Sequence, residues 1–177
     1  DYFIHASPSL SVHVAMLISS LLSHGIVVNN MEVSTIKPIP KNISKVCDSN
    51  NYRSIAIGSV LGKIVDCILL KRMSDYLIKS ELQFGFKPRH STNMCTLLLK
   101  ETVSYYTRNH SSVYCVLLDA TKAFDRISYV KLFRKLIDRK LLAIVVRFLV
   151  NLYSEQAMRV QWDFYKSDSF NVHNGVK

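Results

Sequence analysis

Four cysteines occur in 177 residues, and none is part of a Cys-x-x-Cys pair. Cys47, Cys67, Cys95 and Cys115 stand far apart, and the six histidines do not cluster near them. Zinc sites and disulfide frameworks both want tighter spacing. Reduced, mostly buried thiols in an intracellular protein are therefore expected. Long apolar runs are lacking as well. The most membrane-like stretch, residues 141–150, is short and carries Arg147, whereas a bilayer needs about 20 apolar residues in helix. It reads as a core helix, and no membrane partner is expected. There is no low-complexity segment, repeat, signal peptide or initiator Met. The start at Asp1 and the stop at Lys177 lead us to expect a piece of a longer reading frame.

Acidic residues are scarce relative to basic ones, 13 against 23, which leaves a net charge of +10. Such an excess favours polyanions, nucleic acid first. Ten basic residues stand against four acidic ones between Lys37 and Arg89. With 49% hydrophobic and 20% charged residues the chain is globular rather than disordered.

Periodicity supplies the outline. A helix capped by Ser9 or Ser11 is predicted to run to about His24 and to be stopped by Gly25. Val33–Ile39 reads as a strand broken by prolines, and 42–51 as a mobile polar loop flanked by Lys41 and Arg53. A stripe of Leu61, Ile64, Val65, Ile68, Leu69, Met73, Tyr76 and Leu77 predicts a long amphipathic helix to about Ser80. An aromatic and basic loop over 83–91 leads to a helix capped by Ser91 or Thr92, with Leu97, Leu98, Val103 and Tyr106 on its apolar side. Beyond Ser128 a helix should turn Val130, Phe133, Leu136 and Ile137 inward, followed by a helix over 141–153. Residues 156–162 and 168–172 alternate like a hairpin. Helices with few strands and no linker predict an α+β fold.

The stretch with the clearest chemistry is Val113 to Ile127. Six apolar residues, Val113 through Leu118, run directly into Asp119, and Phe124-Asp125 follows. Such a run predicts a strand buried on both faces, with a carboxylate where it leaves the core. On this pattern alone, capping the next turn explains Asp119 better than a ligand role does.

Several segments together resemble the reverse transcriptases of non-LTR (LINE-type) retrotransposons and, more distantly, those of group II introns. Ile39-Pro40-Lys41, Asn51-Tyr52-Arg53-Ser54-Ile55 and Val60-Leu61-Gly62-Lys63-Ile64 are similar to the family's fingers motif. Gln83-Phe84-Gly85-Phe86-Lys87 with Ser91-Thr92 is similar to its Gln-x-Gly-Phe-Arg motif. Leu117 to Asp125 is similar to the first palm motif, and Gly175-Val176-Lys177 to the opening of the next. Ser54 stands where the family usually has Pro, and Lys87 where it has Arg, which keeps the charge but loses the planar fork. The aromatic-x-Asp-Asp motif and the thumb are missing.

The resemblance implies fingers over 1–110 with the start of the palm helices, and a partial palm with an incomplete sheet over 111–177. It implies a polymerase that copies an RNA template from a DNA primer with deoxynucleoside triphosphates and two Mg2+ ions. Asp119 would be the catalytic and metal-binding carboxylate, the second carboxylate lying outside this chain. Oxygen donors on rigid backbone suit magnesium. Nucleotide contacts would come from Lys41 and Arg53 on the triphosphate, the Ala120 carbonyl, and Phe124 beneath the sugar. Gln83, Gly85, Phe86, Lys87 and Arg89 combine bare backbone, a ring and cations, and would track template or primer. Phe84 reads equally as core filler or as part of that tracking loop, and Asp125 as a cap or turn partner. The fragment alone is expected to be inactive, to bind nucleic acid in a salt-sensitive way, and to self-associate through its open sheet. The alternatives are a non-catalytic nucleic-acid-binding remnant and, far behind, a phosphotransferase using Asp119, whose Asp-x-Asp pattern Thr121 breaks.

Overall fold

The structure is a computed structural model that describes His5 and residues 7–77 and 80–176. It divides into two units, one of residues up to Tyr76 together with those from Lys122 onward, the other Leu77–Thr121.

In the larger unit, helix α1 (Pro8–His24) starts on Ser7, whose side chain accepts from the Ser9 N–H, and ends at Gly25. Gly25 adopts φ 68°, and the N–H groups of Gly25 and Ile26 reach back to Leu22 and Leu21. This is the left-handed cap that glycine makes without steric cost. A short helix α2 (Asn29–Glu32) leads into strand β1 (Val33–Pro40). The predicted mobile loop is two 3-10 turns, Ile43–Lys45 and Ser49–Asn51, pinned by buried Asn51 to the carbonyls of Asn42 and Lys45. Strand β2 (Tyr52–Ile57) follows, then helix α3 (Val60–Arg72), capped by the Ser59 hydroxyl. Its stripe packs as predicted, with Val65 and Met73 buried. The helix stops short of Ser80, because Met73 closes the last turn and a 3-10 turn takes Ser74–Tyr76. Ile78 and Lys79, within the predicted extension, and Lys177, in the last motif, lie outside the described residues.

In the smaller unit, helix α4 (Thr92–Arg108) is capped by Ser91 as expected. It ends at His110 (φ 58°), with Ser111 donating back to Tyr106. Its apolar side is not buried: Leu97, Leu98 and Tyr106 are exposed, and only Val103 and Ser104 are partly covered. One helix with turns on either side has too little partner surface to cover a face.

Back in the larger unit, helix α5 (Tyr129–Asp138) and helix α6 (Ala143–Ser154) are joined by a tight turn at Lys140. Leu141 donates to Leu136 across it, and Leu136 packs against the cluster that Leu141 forms with Met73, Val145 and Val146. Of the residues predicted inward on α5, Phe133 and Leu136 are partly buried, whereas Val130 and Ile137 are exposed. Strands β3 (Ala157–Trp162), β4 (Tyr165–Lys166) and β5 (Phe170–Asn171) complete the sheet. The order is β2-β1-β3-β4, with β5 on the same strand as β4. β1 is antiparallel to β2 and parallel to β3, while β4 and β5 run antiparallel to β3. The predicted hairpin is therefore real, but its return strand breaks where Ser167 bridges both the N–H and the carbonyl of Val160.

The core lies where α1, α3 and α6 meet. Ile18 and Leu21 pack with Met31, Val65 and fully buried Phe148. Helix α6 also closes the end of α1: the Arg147 guanidinium donates to the Ser23 carbonyl, and the Asn151 amide to that of Gly25 at 2.7 Å. A cation at carbonyls left open by a helix terminus is favourable. The observed mixture of helices around a small mixed sheet is the α+β class expected.

Two further expectations fail. Residues 111–120 form no strand, and Tyr114, Val116, Leu117 and Leu118 are 83–94% exposed. A strand buried on both faces needs neighbours in a sheet, and no described strand pairs with this run. The four cysteines are all exposed rather than mostly buried as expected.

Candidate nucleotide and nucleic-acid site

The β1–β2 hairpin positions two of the candidate cations. Ile39 lies opposite Arg53, and Pro40 opposite Tyr52. One step further, the Lys41 N–H donates to the Asn51 carbonyl at 2.7 Å. Alternation along the strands then places Lys41 and Arg53 on one face as diagonal neighbours. Lys37, opposite Ile55, continues that row. The Lys41 Nζ donates to the Asn50 carbonyl at 3.0 Å, which tethers its head beside the turn. Lys37, Lys41 and Arg53 are exposed, so the face presents a fork-shaped guanidinium and compact ammonium groups to solvent. That combination suits phosphate oxygens.

The turn after Asp119 is held from below. Lys122 takes φ 53°, and the Arg126 N–H closes on its carbonyl at 3.2 Å. The chain then returns from β5, and the Gly175 N–H donates to Ile127 at 2.8 Å. Gly175 is buried at φ 85°, and a Cβ there would sit 3.0 Å from the Asp125 carbonyl oxygen. Only glycine passes at that distance and dihedral. Asp125 thus supplies backbone to a contact between two distant segments, while the Phe124 side chain is partly exposed above it.

Asp119 and Ala120 lie in the smaller unit, exposed and outside regular structure. The same unit holds the 83–89 loop. Gln83 folds back so that its amide donates to the Gly85 carbonyl at 2.9 Å. Phe86 (φ 54°) and Arg89 (φ 60°) adopt left-handed backbone. Lys87 reaches the Ser80 carbonyl at 3.4 Å, and Phe84 packs on His90 at 5.8 Å rather than on a larger core. Phe86 is 80% exposed.

As magnesium ligands, the Asp119 carboxylate and the Ala120 carbonyl have the right chemistry, all oxygen. Their number is insufficient, and among the described residues no three His, Cys, Asp or Glu side chains gather to hold a metal. No described helix is long and apolar enough to cross a membrane.

Two features escaped the sequence reading. Gly175 was noticed as a motif opening, but its tight passage under Asp125 depends on a contact remote in sequence. Tyr52 and Trp162 bring their rings to 5.2 Å, and only the Pro-x-Pro pattern between Pro38 and Pro40 hinted that β1 parts from a neighbour there.

The fold is α+β, and its net charge of +10 and cationic hairpin suit polyanionic partners. The family model described as reverse transcriptase (RNA-dependent DNA polymerase) matches residues 39–175, from the end of β1 to the Gly175 passage. The chain belongs to that family. It is also 24% identical, over 139 residues, to the retrovirus-related Pol polyprotein from type-2 retrotransposable element R2DM of Drosophila melanogaster. That alignment covers 78% of this chain and 13% of the fly polyprotein. The relative agrees with the non-LTR resemblance of the motifs.

Proposed function

We propose that the chain is the fingers (1–110) and first palm portion (111–177) of the RNA-directed DNA polymerase of a retrotransposon. The family match, which runs through both the cationic hairpin and the Asp119–Asp125 turn, carries this reading. Lys41 and Arg53 bind the triphosphate of the incoming nucleotide, and Phe124 supports its sugar. Gln83, Gly85, Phe86, Lys87 and Arg89 contact template or primer. Asp119, with the Ala120 carbonyl, would hold magnesium, whose charge offsets that developing on the phosphate during nucleotidyl transfer. The remaining ligands lie outside this chain. Asp125 acts through its backbone, as the floor on which Gly175 rests. Primer extension on an RNA template by the complete polymerase, with and without the Asp119 carboxylate, tests the reading.

A further inference from the structure

β1 and β3 pair only from Val33↔Ala157 to Ile36↔Val160. Pro38 and Pro40 come next on β1, and proline has no N–H to give a ladder, so β3 parts from β1 there. A cleft of about 470 Å3 opens between them, lined by Lys37, Pro38, Pro40, Tyr52, Gln161 and Trp162. A second cavity of about 350 Å3 shares Pro38, Tyr52 and Trp162 with it. Alternation puts Tyr52 on the face of the hairpin opposite the Lys41–Arg53 row. The Tyr52 hydroxyl donates to the Val46 carbonyl at 2.8 Å, which fixes its ring, and the Trp162 ring tilts against it at 56°. Trp162 nevertheless remains 51% exposed, and the adjoining turn carries Phe164 at 98% and Tyr165 at 82%. Fixed rings with an exposed face, in a chain of net charge +10, are a stacking platform for bases.

We propose that the Tyr52–Trp162 cleft and the Trp162–Tyr165 turn bind unpaired RNA by base stacking, at a site separate from the triphosphate face of the same hairpin. The identity of the strand as template RNA rests on the polymerase reading above, whereas the platform itself rests on geometry. Stacked bases are sequence-tolerant ligands, because every base offers a π-face. Binding here would hold the single-stranded template on one face of the β1–β2 hairpin while the other face holds the nucleotide.

Trp162 is the sole tryptophan, so its fluorescence reports on this cleft alone. The 177-residue chain is titrated with oligouridylate, with an RNA duplex of equal charge, with heparin and with a proline-rich peptide, while the anisotropy of labelled oligouridylate reports total binding. We expect saturable quenching by oligouridylate only, and anisotropy-measured affinity lowered about 5- to 100-fold by Trp162→Leu. Phe164→Ser, at an exposed turn, should weaken binding in the same direction without unfolding the chain. Oligouridylate binding without quenching would overturn the cleft and leave the polymerase reading intact. Equal quenching by heparin or duplex, or displacement of RNA by the peptide, would also overturn it. No nucleic-acid binding at all would overturn the cleft, and primer extension by the complete polymerase would then decide the wider reading separately.

Discussion

The N–H of Val176 donates to the carbonyl of Phe124 at 3.0 Å. With the Gly175 bond to Ile127, this ties the segment after β5 to the turn after Asp119, two motifs widely separated in sequence. Phe124, proposed to lie under the sugar, is therefore positioned by backbone that passes beneath it. The passage tolerates no side chain at Gly175.

Gly175→Ala should lower the stability of the chain by about 1–3 kcal/mol, from the left-handed dihedral and contact with the Asp125 backbone. Gly85→Ala is the control. A Cβ at Gly85 meets nothing within 4 Å, and its φ is not in the left-handed region, so its urea midpoint should stay close to that of the parent. Equal effects from the two substitutions would show that the passage is not tight.

Burial separates two apolar residues in the same way. Phe148 is wholly buried where α1, α3 and α6 meet, and Phe148→Ala should cost about 3–5 kcal/mol. Leu118 is 94% exposed, and Leu118→Ser should change stability by less than about 0.5 kcal/mol. A large loss at Leu118 in denaturant unfolding would restore the buried strand that the apolar run predicts.

That run shows where sequence reading reaches its limit. Two helix ends were legible because their causes are local: Ser91 accepts an N–H within its own first turn, and Gly25 turns left-handed. Helix α1, by contrast, is capped by Ser7 rather than by Ser9 or Ser11, and α3 ends well before Ser80. The Lys41–Arg53 pair was legible as two cations flanking one loop, and the hairpin register adds their shared face. Val113 to Leu118 carries a strand pattern, yet a strand exists only through its partners, and partners are not written in the segment itself. The Tyr52–Trp162 cleft and the Gly175 passage were hidden for the same reason.

Glu32 gives a pH dependence. Burial, then the hydrogen bond and charge of Glu155, raise its carboxyl above the ordinary value. A raised carboxyl holds its proton more tightly in the folded state than in the unfolded one. Stability therefore falls as pH rises through the interval between the two values, and the full penalty applies above it. Glu32→Gln should raise the melting temperature at pH 7 and flatten its dependence between pH 4 and pH 7. An unchanged slope would remove Glu32 from the account.

Arg53→Lys keeps the charge but loses the bidentate fork. In the complete polymerase it should raise KM for deoxynucleoside triphosphates about tenfold, the loss of about one charge-assisted hydrogen bond, with template affinity unchanged. A change confined to template affinity would move Arg53 from the nucleotide to the template strand.

The most direct measurement is primer extension on an RNA template by the complete polymerase carrying Asp119→Asn, alongside template binding by the same protein. Charge stabilisation by the bound metal is worth several kcal/mol, and each 1.36 kcal/mol is a factor of ten in rate. Extension should therefore fall by about a thousandfold while template binding is retained. Extension at the parental rate would contradict the assignment of Asp119, and a parent that binds template but never extends a primer would leave a nucleic-acid-binding remnant instead of a polymerase.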